Sequence, residues 1–179
     1  MKKRMSTKAG WLFVAVFVGL HLLYCVLDLQ RCLLISTSRY DAEPMLYKLV
    51  EQVSAVLRFF LAGSSFIVRT GRWIWPQDIA GACLIGSFVV AVTVWMLAHY
   101  GWKKTYLFWG VALALSILLC SAIGAAAGRL VPQRAIESRN FAEVPIRCAV
   151  YVCIYQIPTW LLYQGSRQLA RDIVKDRKV

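Results

Sequence analysis

Acidic side chains are scarce in this chain, where nine Asp and Glu stand against 21 Lys and Arg, and there are only two histidines. Charged residues of both signs make up 17% of the sequence, whereas a soluble domain carries about 25%. An ordinary solvated surface is therefore excluded. Asp28, Asp41 and Asp78 fall at the ends of apolar runs or between them, which leaves no aspartyl pair for hydrolysis inside a membrane. The chain has no G-x-S-x-G elbow, no Walker-type phosphate loop and no H-E-x-x-H. Gly63-Ser64-Ser65 lacks a nearby histidine to activate a serine. An enzyme is not expected, and no internal repeat supports an inverted-repeat transporter. The six cysteines, Cys25, Cys32, Cys83, Cys120, Cys148 and Cys153, include no C-x-x-C pair and no zinc-like spacing with histidine. Cys83, Cys120, Cys148 and Cys153 lie in apolar runs, where a thiol acts as a small hydrophobe. Neither a disulfide framework, a metal nor a cofactor is expected.

What is present is apolar surface. Hydrophobic residues make up 59% of the 179, and the mean hydropathy is +0.57. A net charge of +12 would suggest nucleic acid in a soluble protein. In a membrane protein the same excess sets topology and meets lipid head groups, so lipids, not nucleic acid, are the expected partners. Lys2, Lys3, Arg4 and Lys8 precede the uncharged stretch Trp11–Leu27, and no small-x-small cleavage site follows it. The stretch reads as a retained first span over about 11–30. Ile79–Tyr100 is a second, introduced by the interfacial residues Arg72, Trp73, Trp75 and Pro76. Gly101-Trp102-Lys103-Lys104 is too short a connection for anything but an antiparallel hairpin into the next run, 105–128. The last span covers 146–164, interrupted by Pro158, and a basic tail occupies 165–179.

The segment 44–68 is ambiguous, because Lys48, Glu51 and Arg58 interrupt it. On a helix Glu51, Ser54, Ala55, Arg58, Ala62 and Ser65 share a face, so the segment is amphipathic at the interface, re-entrant, or spanning with its polar stripe turned inward. If it does not cross, the basic N-terminus, Lys103, Lys104 and the tail fall on one side. They then narrowly outnumber Arg31, Arg39, Lys48, Arg58, Arg69, Arg72, Arg129, Arg134 and Arg139 on the other. The fold expected is all-α, a polytopic transmembrane bundle forming a single domain over 1–179. It has four spans, or five if 44–68 crosses, both termini cytoplasmic, in a bacterial inner membrane.

Ala112, Ser116, Cys120, Gly124 and Gly128 recur at intervals of four. In lipid, where hydrophobicity drives little helix association, such a ridge lets backbones approach closely. The ridge is a helix-packing or oligomer interface, and its partner helix belongs either to the same chain or to another. Glu51 and Arg58 stand two turns apart, roughly 10 Å along an axis. With His21 they form a possible polar site inside the membrane, although an edge in contact with solvent explains Glu51 and Arg58 equally well. Paired with His99, His21 would sit at the wrong depth for a bis-histidine haem, which favours a hydrogen-bonded structural role near Tyr24 or Asp28. Arg167, Arg171, Lys175, Arg177 and Lys178 suit contact with anionic head groups, each worth about 1 kcal/mol. The function expected is that of a non-enzymatic oligomerising subunit or accessory of a membrane complex, assembling with itself or with other membrane subunits. A channel or pore-forming effector using the Glu51/Arg58 face is one alternative, and an immunity, exclusion or phage-defence protein is another.

Overall fold

The computed structural model describes residues 7–36, 44–62, 76–130 and 141–176. They form α1 (Lys8–Ser36), α2 (Pro44–Ala62), α3 (Pro76–Tyr100), α4 (Trp102–Leu130) and α5 (Glu143–Asp176), with no strand among the described residues. Local chemistry marks the helix ends. Pro44 and Pro76 open α2 and α3, positions where the missing N–H would have had no helical partner. Gly101 takes φ +77° between α3 and α4, a left-handed conformation that costs glycine nothing. Its N–H donates to the Leu97 carbonyl and its own carbonyl accepts from the N–H and hydroxyl of Thr105. One residue thus ends α3 and begins α4.

The rings that meet set the direction of each helix. Trp11 of α1 meets Phe108 of α4 edge-on, Phe13 and Phe17 meet Trp109, and the Cys120 thiol donates to the His21 carbonyl at 3.9 Å. Residue numbers rise together along both helices, so α1 and α4 are parallel. Along α3 they run the other way: Tyr100 lies against Phe108, and the Trp109 indole donates to the Thr93 hydroxyl at 3.0 Å. The end of α1 and the start of α3 therefore lie at the same end of the bundle. Between them α2 runs antiparallel to α1. Glu51 bonds to Arg31, while Leu57 and Leu61 reach the level of Phe17 and Leu20.

Among the described residues three helices are long and apolar enough to cross a membrane: Lys8–Ile35, Ile79–Tyr100 and Trp102–Arg129. At most 39% of the most apolar window of each is buried inside the bundle. The remainder, such as Leu12 at 64% and Leu118 at 66% exposure, faces outward and needs an apolar solvent. These are features of an integral membrane protein with a helical bundle. By this measure three of the four expected spans are supported and the fourth, 146–164, is not. The stretch 146–164 is helical but carries Gln156, Pro158, Gln164 and several tyrosines, which dilute its hydropathy. The ambiguous segment is a helix only to Ala62, and 63–68 lies outside the described residues.

Two glycines mark close approaches that the periodicity does not single out. A Cβ on Gly10 would run into the Phe108 ring, and one on Gly86 into the Tyr155 ring, whose hydroxyl donates to the Ala82 carbonyl. Gly86→Ala is expected to lower the stability in detergent by about 1–3 kcal/mol, the usual cost of overpacking. Tyr155→Leu in the same chain should recover part of that loss. Unfolding midpoints of the two single variants and the double variant measure this coupling, and strict additivity would show that the two residues do not meet.

Candidate functional site

The small-residue ridge on α4 divides between two environments. Ala112, Ser116 and Cys120 are completely buried, on the face where α4 meets α1. Gly124 is partly covered by Phe141, whose ring would lie 3.3 Å from an added Cβ. Gly128 is exposed, with open space where a Cβ would go. Three of the five residues thus serve packing within the chain. A second set of small residues, Ser121, Ala122, Ala125 and Ala126, faces outward with Gly128. The interval of four from Ala112 reaches this face only at Gly128.

Polar residues are drawn to the helix contacts. The Arg31 guanidinium bonds the Glu51 carboxylate at 3.0 Å and so ties α1 to α2. Arg58 reaches Glu143 at 3.8 Å, and Glu143 also bonds Arg147 one turn along α5. Glu51 and Arg58 lie on one face of α2 but engage different helices. His21 is a third, separate place. Its Nδ1–H donates to the Phe17 carbonyl at 2.9 Å, and its ring lies 4.6 Å from that of Phe17. Because Nδ1 carries the proton, Nε2 is left as an acceptor. It is buried without a hydrogen-bond partner, as are the Ser116 hydroxyl and the side-chain amide of Gln156. The Cys25 and Cys120 thiols adjoin one another, and the Cys25 thiol donates to the Phe141 carbonyl. All six cysteines are free. Among the described residues no group of three His, Cys, Asp or Glu could hold a metal.

No pattern in the sequence announces a cavity of about 400 Å³ between the helices. Phe17 and Leu20 of α1, Leu57 and Leu61 of α2, Ile85 and Val89 of α3 and Cys148 of α5 line it. Its volume falls in the range of about 300–1,000 Å³ typical of ligand sites. Leu20, Phe60, Leu84 and Phe88 form its rim and are between 38% and 54% exposed, so the cavity opens sideways, across the outward surface of the bundle. Four separate helices build it, and no spacing within one of them announces it. The Arg58–Glu143–Arg147 cluster stands beside it, because Arg58 lies between Leu57 and Leu61 on α2, and Arg147 adjoins Cys148 on α5. One legible trace existed: Glu143 is an acid in the first turn of a helix that follows a basic connection.

In the tail, Arg167 is exposed and rests over the Tyr163 ring at 5.7 Å, a cation–π contact typical of exposed sites. Arg171 and Lys175 continue α5, whose side chains are described as far as Gln168, and Arg177 and Lys178 lie outside the described residues.

The Arg31–Glu51 pair generates a direct prediction. Glu51→Arg should destabilise the protein by about 1 kcal/mol or more, since it places two guanidinium groups together at a partly exposed site. Arg31→Glu combined with Glu51→Arg should restore most of that loss. A double-mutant cycle on unfolding midpoints checks the pair, and zero coupling would show that it contributes nothing. No protein-family model matches the chain, and neither does a curated protein or a solved structure.

Proposed function

We propose that the chain is a small integral protein of a bacterial inner membrane that acts by binding rather than catalysis, as an oligomerising subunit or accessory of a membrane complex. The observation that carries this reading is the outward face of α4, where Ser121, Ala122, Ala125, Ala126 and Gly128 are all exposed. Small residues on a lipid-facing surface let a second helix approach closely enough for dispersion and weak Cα–H···O contacts to hold it. The partner is a second copy of the chain or another membrane subunit. A pore lined by a common Glu51/Arg58 face finds no support in this arrangement, because Arg31 and Glu143 engage the two side chains separately.

In this reading 146–164 supplies a fourth crossing and both termini are cytoplasmic. Charge is absent from Cys148 to Gln164, and two polar groups there are bonded within the bundle. The Tyr155 hydroxyl donates to Ala82, and the Thr159 hydroxyl donates to the Tyr155 carbonyl at 2.6 Å, in the turn that Pro158 interrupts. The α2 segment enters and leaves on one side, consistent with the parallel course of α1 and α4.

Two measurements test the proposal. Ala125→Leu combined with Gly128→Leu should shift the protein from oligomer to monomer in native mass spectrometry. These sites suit the test because Ala125 is exposed and open space surrounds the Cβ position of Gly128, whereas Gly124→Leu would also disturb Phe141. An unchanged oligomer would refute self-association through this face. In a cysteine-free background, single cysteines placed just after α1 and just before α3 should label from one side of the membrane. A cysteine replacing Lys103 should label from the other, and labelling of all three from one side would refute the topology.

A further inference from the structure

We propose that the cavity beside α2 is a phospholipid site: an acyl chain enters the apolar cleft and Arg58 holds the phosphate. The inference rests on the chain lying in a membrane and goes beyond the assembly role. The cleft is lined by apolar side chains and one thiol, and its rim of Leu20, Phe60, Leu84 and Phe88 opens toward the surface that lipid would cover. Apolar cavities of this kind do not hold water, and the apolar group that abuts this opening in a bilayer is an acyl chain. Charge selects the other end of the ligand. Arg58 and Arg147 share the single carboxylate of Glu143, so the cluster keeps a net charge of +1. The Arg58 side chain is 50% exposed and its 3.8 Å contact with Glu143 is long, which leaves donors of the guanidinium fork free to meet a phosphate bidentately.

Depth agrees with this assignment. The uncharged run of α1 ends at Leu27, and α5 begins at Glu143, next to Phe141, whose carbonyl accepts from the Cys25 thiol. The charged cluster therefore sits near the edge of the uncharged layer. The cleft lies below it, beside Phe17 and Leu20, about one to two helical turns closer to the Lys8 end. A glycerophospholipid has the same order, with its phosphate at the boundary and its chain beneath.

The test uses the full chain in phosphatidylglycerol vesicles containing a phosphatidylglycerol whose acyl chain carries a photoactivated diazirine. Mass mapping after illumination should find cross-links concentrated on the peptides holding Leu57–Leu61 and Leu84–Val89. Leu20→Trp, which closes the rim from a half-exposed position, should reduce these cross-links severalfold without reducing those on other outward faces, and Leu84→Trp should do the same from α3. Arg58→Gln should lower cleft labelling by the phosphatidylglycerol probe about tenfold, the loss of one charge-assisted hydrogen bond, and leave labelling by a diacylglycerol probe unchanged. Uniform labelling of all outward faces, cleft labelling unchanged by both tryptophan variants, or equal wild-type labelling by the two probes would each overturn the proposal. General labelling of the outward faces would still show membrane insertion, so failure of the lipid site remains distinct from failure of the membrane reading.

Discussion

The close parallel contact of α1 with α4 is the constraint on which the rest of the bundle depends. Lipid gives apolar helices little reason to leave it for one another, so helices in a membrane are held by contacts that lipid cannot match. Here these are a buried seam of Ala112, Ser116 and Cys120 and the edge-on packing of Phe13 and Phe17 on Trp109. Trp109 is the pivot, because its indole N–H is also bonded to Thr93 of α3. Its three neighbours thus join two helices to α4 through one side chain. The thiols of Cys25 and Cys120 extend the same seam toward Phe141 at the start of α5.

With α1 and α4 parallel and α3 antiparallel to them, the chain between α1 and α3 must begin and end at one end of the bundle. The course of α2 follows from that. It is too polar to run alone through hydrocarbon, and its charges are met on two sides, Glu51 by Arg31 and Arg58 by Glu143. Tied to α1 by the Arg31–Glu51 pair, α2 runs along α1 and leaves a space toward α3 and α5. Bulky side chains on several helices cannot close this space, and the 400 Å³ cleft is what remains. The Arg58–Glu143–Arg147 cluster stands beside this cleft and carries one guanidinium more than its carboxylate balances.

Much of the fold is legible in particular residues, and the limits of that legibility have physical causes. The uncharged runs 11–27 and 79–100 lie within helices α1 and α3, because hydropathy is a local sum and a helix is the local way to satisfy a backbone in lipid. Gly101 marks the hairpin because only a left-handed residue turns the chain so tightly. The ridge on α4 is legible as a packing surface, but its partner is not. A repeat of four says that something approaches closely, not which helix does so, and the outward small face one position away has no stronger signature. Tyr155 over Gly86 and Phe108 over Gly10 are invisible in sequence for the same reason, since each pair joins distant helices.

The sequence alone determined that the chain is helical, rich in long apolar runs and basic toward its ends, and roughly where its apolar helices lie. These properties depend on side chains within one or two turns of each other. Only the tertiary structure decided that Glu51 and Arg58 part company, that α2 runs back along α1, and that a cleft opens where four helices fail to meet. Those outcomes depend on the relative direction and height of helices far apart in the chain, and a one-dimensional pattern of polarity carries no record of either.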